Sequence, residues 1–561
     1  MVLRNDSKKT ILLVFFASIS FILIFRLYII QIKNHEYYKA LVLGQQISFK
    51  EIPPKRGDIF FSDGITPLAK TVETVVLSIY PQKVNNLENF IEDISNITGE
   101  DKEKLIEEFS KSKLIQKEIP FEKLSIFKNK NYSGWDFQIN FKRIYPENNI
   151  ASNVVGFLNK DFQGQYGLEG YYENILSGKK ETIQKETSPF KYSIFSQNND
   201  VFNNNAGASL VLTIDKSIQY FAQKVIENAA KNFEIEKGEI VIVNPNNGEI
   251  LANAIFPSFD PNNYQKTKDI SHFKNFSASD LFEPGSIFKP ITFAAALEEN
   301  LITPDDIFED KGVVNLGGKP IYNFHQKTWG KITMTEVLQN SVNTGAVFVE
   351  QKLGKDRFLS YLEKFGFFEP TGVDIQGESF SKNMVLKNGK ERDIAVASFG
   401  QGINVNSFQI IQAFSAICNG GKLITPHFVK KIIYPNGNIV DIKPVVKKEI
   451  LSQETSEKLS SMLIQVVEKG SGWRTKMPGY EIAGKTGTAQ IPLPNGQYSQ
   501  EDTIQSFVGY LPAFEPKVLI FVKLVKPKNS PTAEYAAVLT FKEIAKNIID
   551  YLQIAPNLIK D

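Results

Sequence analysis

The sequence predicts an α+β protein of more than one domain, with a single N-terminal transmembrane helix. Three observations carry that prediction. An uncharged run opens the chain, and no second run of comparable length follows it. A polar stretch near residue 200 separates a mixed, turn-rich segment from a longer one. In the longer segment strand-like runs stand at both ends with helical periodicity between them, so one sheet joins the two ends. Length and composition set the frame. The 561 residues suit roughly two to four domains, and 42% hydrophobic against 22% charged residues describes folded cores. The net charge is +2, from 64 basic and 62 acidic residues, which argues against a nucleic-acid coat or an acidic tail protein. One cysteine, Cys418, rules out an internal disulfide framework and a Cys-based metal or iron–sulfur site. Four histidines argue against a His-rich metal site or a His-driven triad.

Residues 11–32 supply the span. Ile11 to Phe25 carries no charge, and after Arg26 the run continues to Ile32. That meets the requirement of about 20 mostly apolar residues, and Arg26 can snorkel to the interface. A cleaved signal peptide is the competing reading, but apolar residues continue past Ser20 rather than giving way to a small-x-small site. Arg4, Lys8 and Lys9 against Asp6 place residues 1–10 in the cytoplasm and the chain beyond the span outside.

Residues 36–205 read as a mixed domain. It holds the turns Pro53 to Asp58 and Ser62 to Gly64, and charged helix-like patches at Asn86 to Ile97 and Asp101 to Lys113. Gln197 to Asp200 and Asn203 to Gly207 read as a linker. Residues 206–555 form the second domain. Leu210 to Ile214 is strand-like and Ser217 to Asn232 an amphipathic helix. Gly238 to Pro245 and Glu249 to Ile255 flank Asn246-Asn247-Gly248, a hairpin signal. Helices are expected at Phe288 to Asn300, Thr335 to Leu353, Phe408 to Asn419 and Thr455 to Lys469. Strands return at Ser506 to Tyr510 and Val518 to Leu524, and Tyr535 to Leu552 closes the chain as a helix.

Three short patterns carry chemistry. In Glu283-Pro284-Gly285-Ser286-Ile287-Phe288-Lys289, Pro-Gly breaks the chain before a helix. Ser286 then sits at the helix start with Lys289 one turn on, along the same face. A hydroxyl needs a base, and a lysine kept neutral by desolvation and a neighbouring cation can serve. In Ser341-Val342-Asn343, the serine can pass a proton and the asparagine can hold a substrate carbonyl. Gly484-Lys485-Thr486-Gly487-Thr488, read as an edge strand, can pair with a bound peptide. Its lysine and threonines can hold a carboxylate, and Gly487 permits close approach. Ser-x-x-Lys recurs from Ser110, Ser177, Ser188 and Ser271, so a single match says little. The ordered set says more, because its order and context resemble the active-site serine set of penicillin-binding proteins and serine β-lactamases.

The resemblance is wider than the motifs. The chain resembles a class B penicillin-binding protein, a monofunctional peptidoglycan transpeptidase, over nearly its whole length. The likeness runs through Arg56-Gly57-Asp58-Ile59, Asp63-Gly64, Leu68-Ala69, Arg143-Ile144-Tyr145-Pro146, Val155-Gly156-Phe157 and Gly167-Leu168-Glu169-Gly170. It continues in Asn244-Pro245, Gly248 to Ala252, Pro257 to Asn262, Ser398-Phe399-Gly400-Gln401-Gly402 and Asn419-Gly420-Gly421. The Ser398 to Gly402 segment leans toward the division subtype. Ala536 to Phe541 departs from the family's closing pattern by lacking a proline.

The resemblance implies an elongated pedestal (dimerisation-like) domain over 36–205 and a transpeptidase domain over 206–555. The latter is a serine β-lactamase-like five-stranded sheet with helices. It implies Ser286 as acylated nucleophile, Lys289 as base, Ser341 as proton relay and Asn343 as positioner. Lys485, Thr486 and Thr488 would bind the substrate's terminal carboxylate, Gly487 would let the substrate approach, and the backbone amides of Ser286 and Thr488 would form the oxyanion hole. Neither metal nor organic cofactor is needed. The implied partners are D-Ala-D-Ala stem peptides, β-lactams, a multispanning glycan polymerase and other division or elongation proteins. The rivals are a catalytically weak scaffold or β-lactam sensor, and a serine β-lactamase or DD-carboxypeptidase. Ser-Val-Asn in place of the Ser-Asp-Asn usual in class A β-lactamases speaks against the last pair.

Overall fold

A computed structural model describes residues 6–39, 47–52, 54–179, 181–186, 205–493 and 497–557. Residues 1–5 of the expected cytoplasmic tail and residues 197–200 and 203–204 of the expected linker lie outside the described residues. The chain divides into two units, one of residues 1–55 with 179–206 and one of residues 56–178 with 207–561.

In the first unit, α1 (Asp6–Tyr28) continues through a π-helical turn, Ile29–Lys33. Lys9–Lys33 is long and apolar enough to cross a membrane, matching the span read from the sequence. Ile47–Ile52 and Glu181–Glu186 pair as an antiparallel ribbon.

The second unit contains a long strand, Pro67–Ile79, which pairs with Ile115–Pro120 and Trp135–Ile144. Helices Leu87–Thr98 and Lys102–Lys111 cover it. Their Phe90, Ile94, Leu105 and Phe109 form a small core with Val75, Leu77 and Ile79. Asp101 caps the second helix by accepting from the amides of Glu103 and Lys104. The same long strand leads through Ile59–Phe60 to Ser209–Leu212, Val429–Ile433 and Ile439–Asp441 in one seven-stranded sheet. This sheet runs across residue 206, where the sequence places a domain division. Leu210 and Leu212 are fully buried in the same core as Ile59 and Leu68, so the packing is continuous between these strands.

Between these strands lies a buried charge cluster. Glu169 is fully buried, with Oε2 2.7 Å from Arg56 Nε and Oε1 2.8 Å from Arg143 Nε. Arg143 Nη1 donates to Gly57 O and Thr71 Oγ1, both at 2.8 Å. The Tyr145 hydroxyl donates to Glu169 Oε1 at 3.2 Å.

The rest of the unit is a three-layer α/sheet/α sandwich. Its elements are α2 (Lys216–Phe233), β1 (Lys237–Val243), β2 (Ile250–Phe256), α3 (Lys289–Glu298), α4 (Asn343–Leu353), α5 (Ser407–Cys418), α6 (Gln453–Glu468), β3 (Ala483–Pro492), β4 (Tyr498–Leu511), β5 (Val518–Val525) and α7 (Ala537–Leu552). The antiparallel sheet runs β2-β1-β5-β4-β3, with β3 at the edge. Period-2 burial assigns its two faces. Ile240, Ile242, Ile520 and Val522 pack with α2 and α7. Val241, Val243, Leu519 and Phe521 pack with α3, α5 and α6. The sheet therefore joins the two ends of the segment, and Asp215 starts α2 by accepting from the amides of Ser217 and Ile218.

One expected helix is two. Thr335 to Leu353 is broken between Met334–Gln339 and Asn343–Leu353, because Ser341 adopts φ +57°. A non-glycine residue there is uncommon and its conformation is held by the surroundings. The amides of Ser341 and Val342 bond back to Leu338 O and Val337 O.

Candidate active site

Ser286 stands in a 3₁₀ turn, Gly285–Phe288, that runs directly into α3. Gly285 enters with φ +59°, and its amide donates to Gly400 O at 3.0 Å. A Cβ on Gly400 would lie 2.2 Å from Gly285 O, so the Ser398 to Gly402 segment is a close backbone support for this turn. On the other side, a Cβ on Gly487 would lie 2.5 Å from Ser506 Oγ and 3.1 Å from Pro284 O. The sequence reading gave Gly487 to substrate approach; the space its missing side chain leaves also admits the Ser286 turn.

Lys289 is fully buried. Its Nζ lies 3.1 Å from Ser286 Oγ, 2.5 Å from Ser341 O, 3.1 Å from Ser341 Oγ and 2.9 Å from Asn343 Oδ1. Lys485, also fully buried, reaches Ser341 Oγ at 3.0 Å and Thr486 O at 3.1 Å. Ser341 Oγ thus sits between the two lysine amines. Burial, then the neighbouring Lys485, holds the Lys289 amine well below the ordinary lysine range, and burial brings Lys485 down to about 7. Desolvation penalises each charged form, and among the described residues no carboxylate hydrogen-bonds to either amine to offset it. A neutral Lys289 has two N–H groups and one lone pair. Ser341 O and Asn343 Oδ1 accept the two N–H bonds, which leaves the lone pair for a serine hydroxyl.

The sequence-predicted residues therefore converge: Ser286, Lys289, Ser341, Asn343 and Lys485 form one connected hydrogen-bonded set. Asn343 is more committed than its residue type alone indicates, since its Nδ2 donates to Tyr322 O at 3.0 Å. Thr486 and Thr488 lie one strand step apart on the β3 edge strand, on one side of it. Thr486 Oγ1 is 2.7 Å from Ser471 Oγ. Thr488 Oγ1 accepts from the Ala533 amide at 3.1 Å, which leaves its O–H free to donate.

Supporting residues escaped the sequence reading. Asn323 Oδ1 accepts from the amides of Asn343 and Thr344, each at 3.0 Å, and so caps α4. Asp310 holds Asn323 Nδ2 at 2.9 Å and the Thr344 hydroxyl at 2.6 Å. Glu283, just before the Pro-Gly break, accepts from Tyr498 Oη at 3.0 and 3.2 Å. Burial raises its carboxyl above the usual range despite that bond. Cys418 is buried in α5 with its thiol pushed up by burial, in keeping with a small core residue.

Comparison with known proteins gives the family of the chain. The penicillin binding protein transpeptidase domain family matches residues 238–550, and the penicillin-binding protein dimerisation domain family matches residues 51–212. Stage V sporulation protein D of Bacillus subtilis is 32% identical over 511 residues, covering 88% of this chain and 79% of that protein. A peptidoglycan D,D-transpeptidase FtsI homolog of Mesostigma viride is 28% identical over 551 residues, covering 93% of this chain and 92% of that one. The crystal structure of penicillin binding protein 2X from Streptococcus thermophilus shares the fold at a TM-score of 0.77 and 21% identity, covering 91% of this chain and 81% of its own. With both family domains present in order, behind an apolar N-terminal helix, the chain belongs to the class B penicillin-binding proteins.

Proposed function

We propose that the chain is a peptidoglycan D,D-transpeptidase that cross-links stem peptides through an acyl-enzyme on Ser286. The observation that carries this reading is the link from the Ser286 hydroxyl to a fully buried Lys289 amine, 3.1 Å away, with Ser341 Oγ between Lys289 and Lys485. A lysine whose neutral form is favoured can take the serine proton as Oγ attacks the penultimate D-Ala carbonyl. The C–N bond then breaks, and Ser341 hands a proton to the departing D-Ala amine. The backbone amides of Ser286 and Thr488 stabilise the oxyanion. Lys485, Thr486 and Thr488 hold the terminal carboxylate, and a side-chain amine of a second stem resolves the ester. β-Lactams enter as mimics of the D-Ala-D-Ala end and stay on Ser286. Charge near the N-terminus puts residues 1–10 in the cytoplasm and the catalytic domain outside. There it would work in septal or lateral wall synthesis beside a multispanning glycan polymerase, and the Ser398 to Gly402 segment favours the septal role.

The test is a fluorescent penicillin followed over time on the anchored protein beside Ser286→Ala. The expected result is stable labelling of the wild type and none of the variant. Label lost within seconds would move the assignment to a β-lactamase. A folded wild type that takes no label would leave only a scaffold or sensor. A second expectation concerns the support of the nucleophile turn. Gly400→Ala should slow acylation about 10²-fold, the cost of roughly 1 Å of misplacement at a reacting centre, in a stopped-flow measurement. A rate equal to wild type would mean that the turn moves freely of that segment.

A further inference from the structure

Beyond Thr486 and Thr488 the molecule carries an aromatic cluster that the acylation chemistry leaves unused. Ser471 is bonded to Thr486 and Ala533 to Thr488. Trp473 lies two residues past the first tether and Tyr535 two past the second, each within about 7 Å of chain. Trp473 is 48% exposed and Tyr535 42%. The Arg474 guanidinium lies between them, 4.7 Å from each ring centroid. Trp473 Nε1 donates to Glu534 Oε1 at 2.6 Å, and Arg474 Nε stands 3.7 Å from the same oxygen. Both segments are pinned from below. Buried Gln505 bonds Ser530 O at 2.8 Å and receives the Ser530 hydroxyl at 3.1 Å. Thr475 is fully buried, with its hydroxyl on Gly472 O. The result is a rigid, exposed Trp-Arg-Tyr surface of the composition that dominates binding energy at interfaces.

We infer that Trp473, Arg474, Glu534 and Tyr535 form the subsite for the acceptor stem, the peptide whose amine resolves the acyl-enzyme. The inference rests on the transpeptidase reading above. The amine that leaves and the amine that enters bond to the same acyl carbon, so microscopic reversibility gives them one path. In that reading the leaving D-Ala has its carboxylate on Thr486 and Thr488. The ground just past those hydroxyls is then where the incoming chain must lie. The Glu534 carboxylate is engaged by Trp473 Nε1 and Arg474, so the cluster offers the rings to the body of the incoming chain; the ligand class follows from the reading above, a peptide whose aliphatic side-chain amine extends past the cluster to the ester. After that amine deprotonates, its nitrogen attacks the ester carbonyl. A C–N bond forms, the C–Oγ bond breaks, and the proton shed by nitrogen returns to Ser286 Oγ.

Two half-reactions separate this from the reading beneath it. Acylation by a small penicillin contains no acceptor. Partitioning of the acyl-enzyme between an acceptor tripeptide with a free side-chain amine and water, after loading with a synthetic peptide thioester, reports the acceptor alone. Trp473→Ala and Tyr535→Ala should each lower the aminolysis-to-hydrolysis ratio about five-fold or more while penicillin acylation keeps the wild-type rate, and Trp473→Phe should restore most of the ratio. An unchanged ratio would overturn the inference and leave the surface to some other partner. Parallel falls in acylation and aminolysis in both alanine variants would also overturn it, since the cluster would then only brace β3. A wild type that penicillin does not label fails the transpeptidase reading itself, a different result from either.

Discussion

Lys289→Met should yield a folded protein whose acylation by penicillin is slower by roughly 10²–10⁴-fold, the usual worth of a positioned general base. The size follows from what the side chain does and where it sits. Its amine is the base recorded in hydrogen-bond contact with Ser286 Oγ, and water cannot replace it at a site that excludes solvent from the lysine entirely. Methionine matches its length and removes a charge to desolvate, but it leaves Ser341 O and Asn343 Oδ1 without their N–H donors, so a thermal melt run beside the kinetics separates lost chemistry from lost fold. The pH profile gives a second readout. Burial and the neighbouring Lys485 hold Lys289 well below the ordinary range, so acylation by the wild type should climb with pH as the amine loses its proton and then level off. The variant should lack that limb. Lys485 adds a stability term of fixed sign. Its folded value of about 7 lies below the unfolded value of about 10.4, so between the two the unfolded chain binds more protons and stability rises with pH. A variant that acylates at the wild-type rate would remove Lys289 from the mechanism.

The chemistry was legible because it is local. Ser286 and Lys289 are one helical turn apart, Ser341 and Asn343 straddle one helix start, and Lys485 to Thr488 is one edge strand. Each spacing is fixed by backbone period and survives being read without a fold. The parts that stayed hidden are joined across the chain. Asn323 caps α4 from 20 residues upstream, and Tyr498 reaches Glu283 from 215 residues away. Nothing in the neighbourhood of either residue marks it. The break at Ser341 was hidden for a different reason. The apolar period runs through Thr335 to Leu353 with no proline, and its only glycine, Gly345, lies inside α4, so only the left-handed conformation of one serine shows the interruption. The polar stretch near residue 200 says nothing of strand pairing because composition reports solvation of the chain. Whether Ser209–Leu212 belongs with strands before or after that stretch depends on Leu210 and Leu212, whose burial partners include Ile59 and Leu68.

Glu169→Gln should destabilise the second unit by about 3–5 kcal/mol, the cost of breaking a buried ion pair by removing one charge. The carboxylate is the shared acceptor of two guanidiniums that are themselves nearly fully buried. An amide in its place neutralises neither, and it turns an N–H₂ toward donors. Burial alone would raise the Glu169 pKa, but Arg143 and Arg56 outweigh it and hold the carboxyl below the ordinary range. The sign is then fixed. The folded state binds the proton less tightly than the unfolded chain, so the stabilisation is complete above the unfolded carboxylate pKa and is lost as pH falls through the lower folded one. Urea melts at neutral and acid pH should show the deficit of the variant shrinking as the solution is acidified. Penicillin acylation of the folded fraction at low temperature should stay at the wild-type rate, because the cluster braces the sheet of Pro67–Ile79 and touches none of the residues around Ser286. Equal melts for variant and wild type at neutral pH would show that the two arginines are compensated without Glu169, and Glu173, 2.7 Å from Arg56 Nη1, would be the group to replace next.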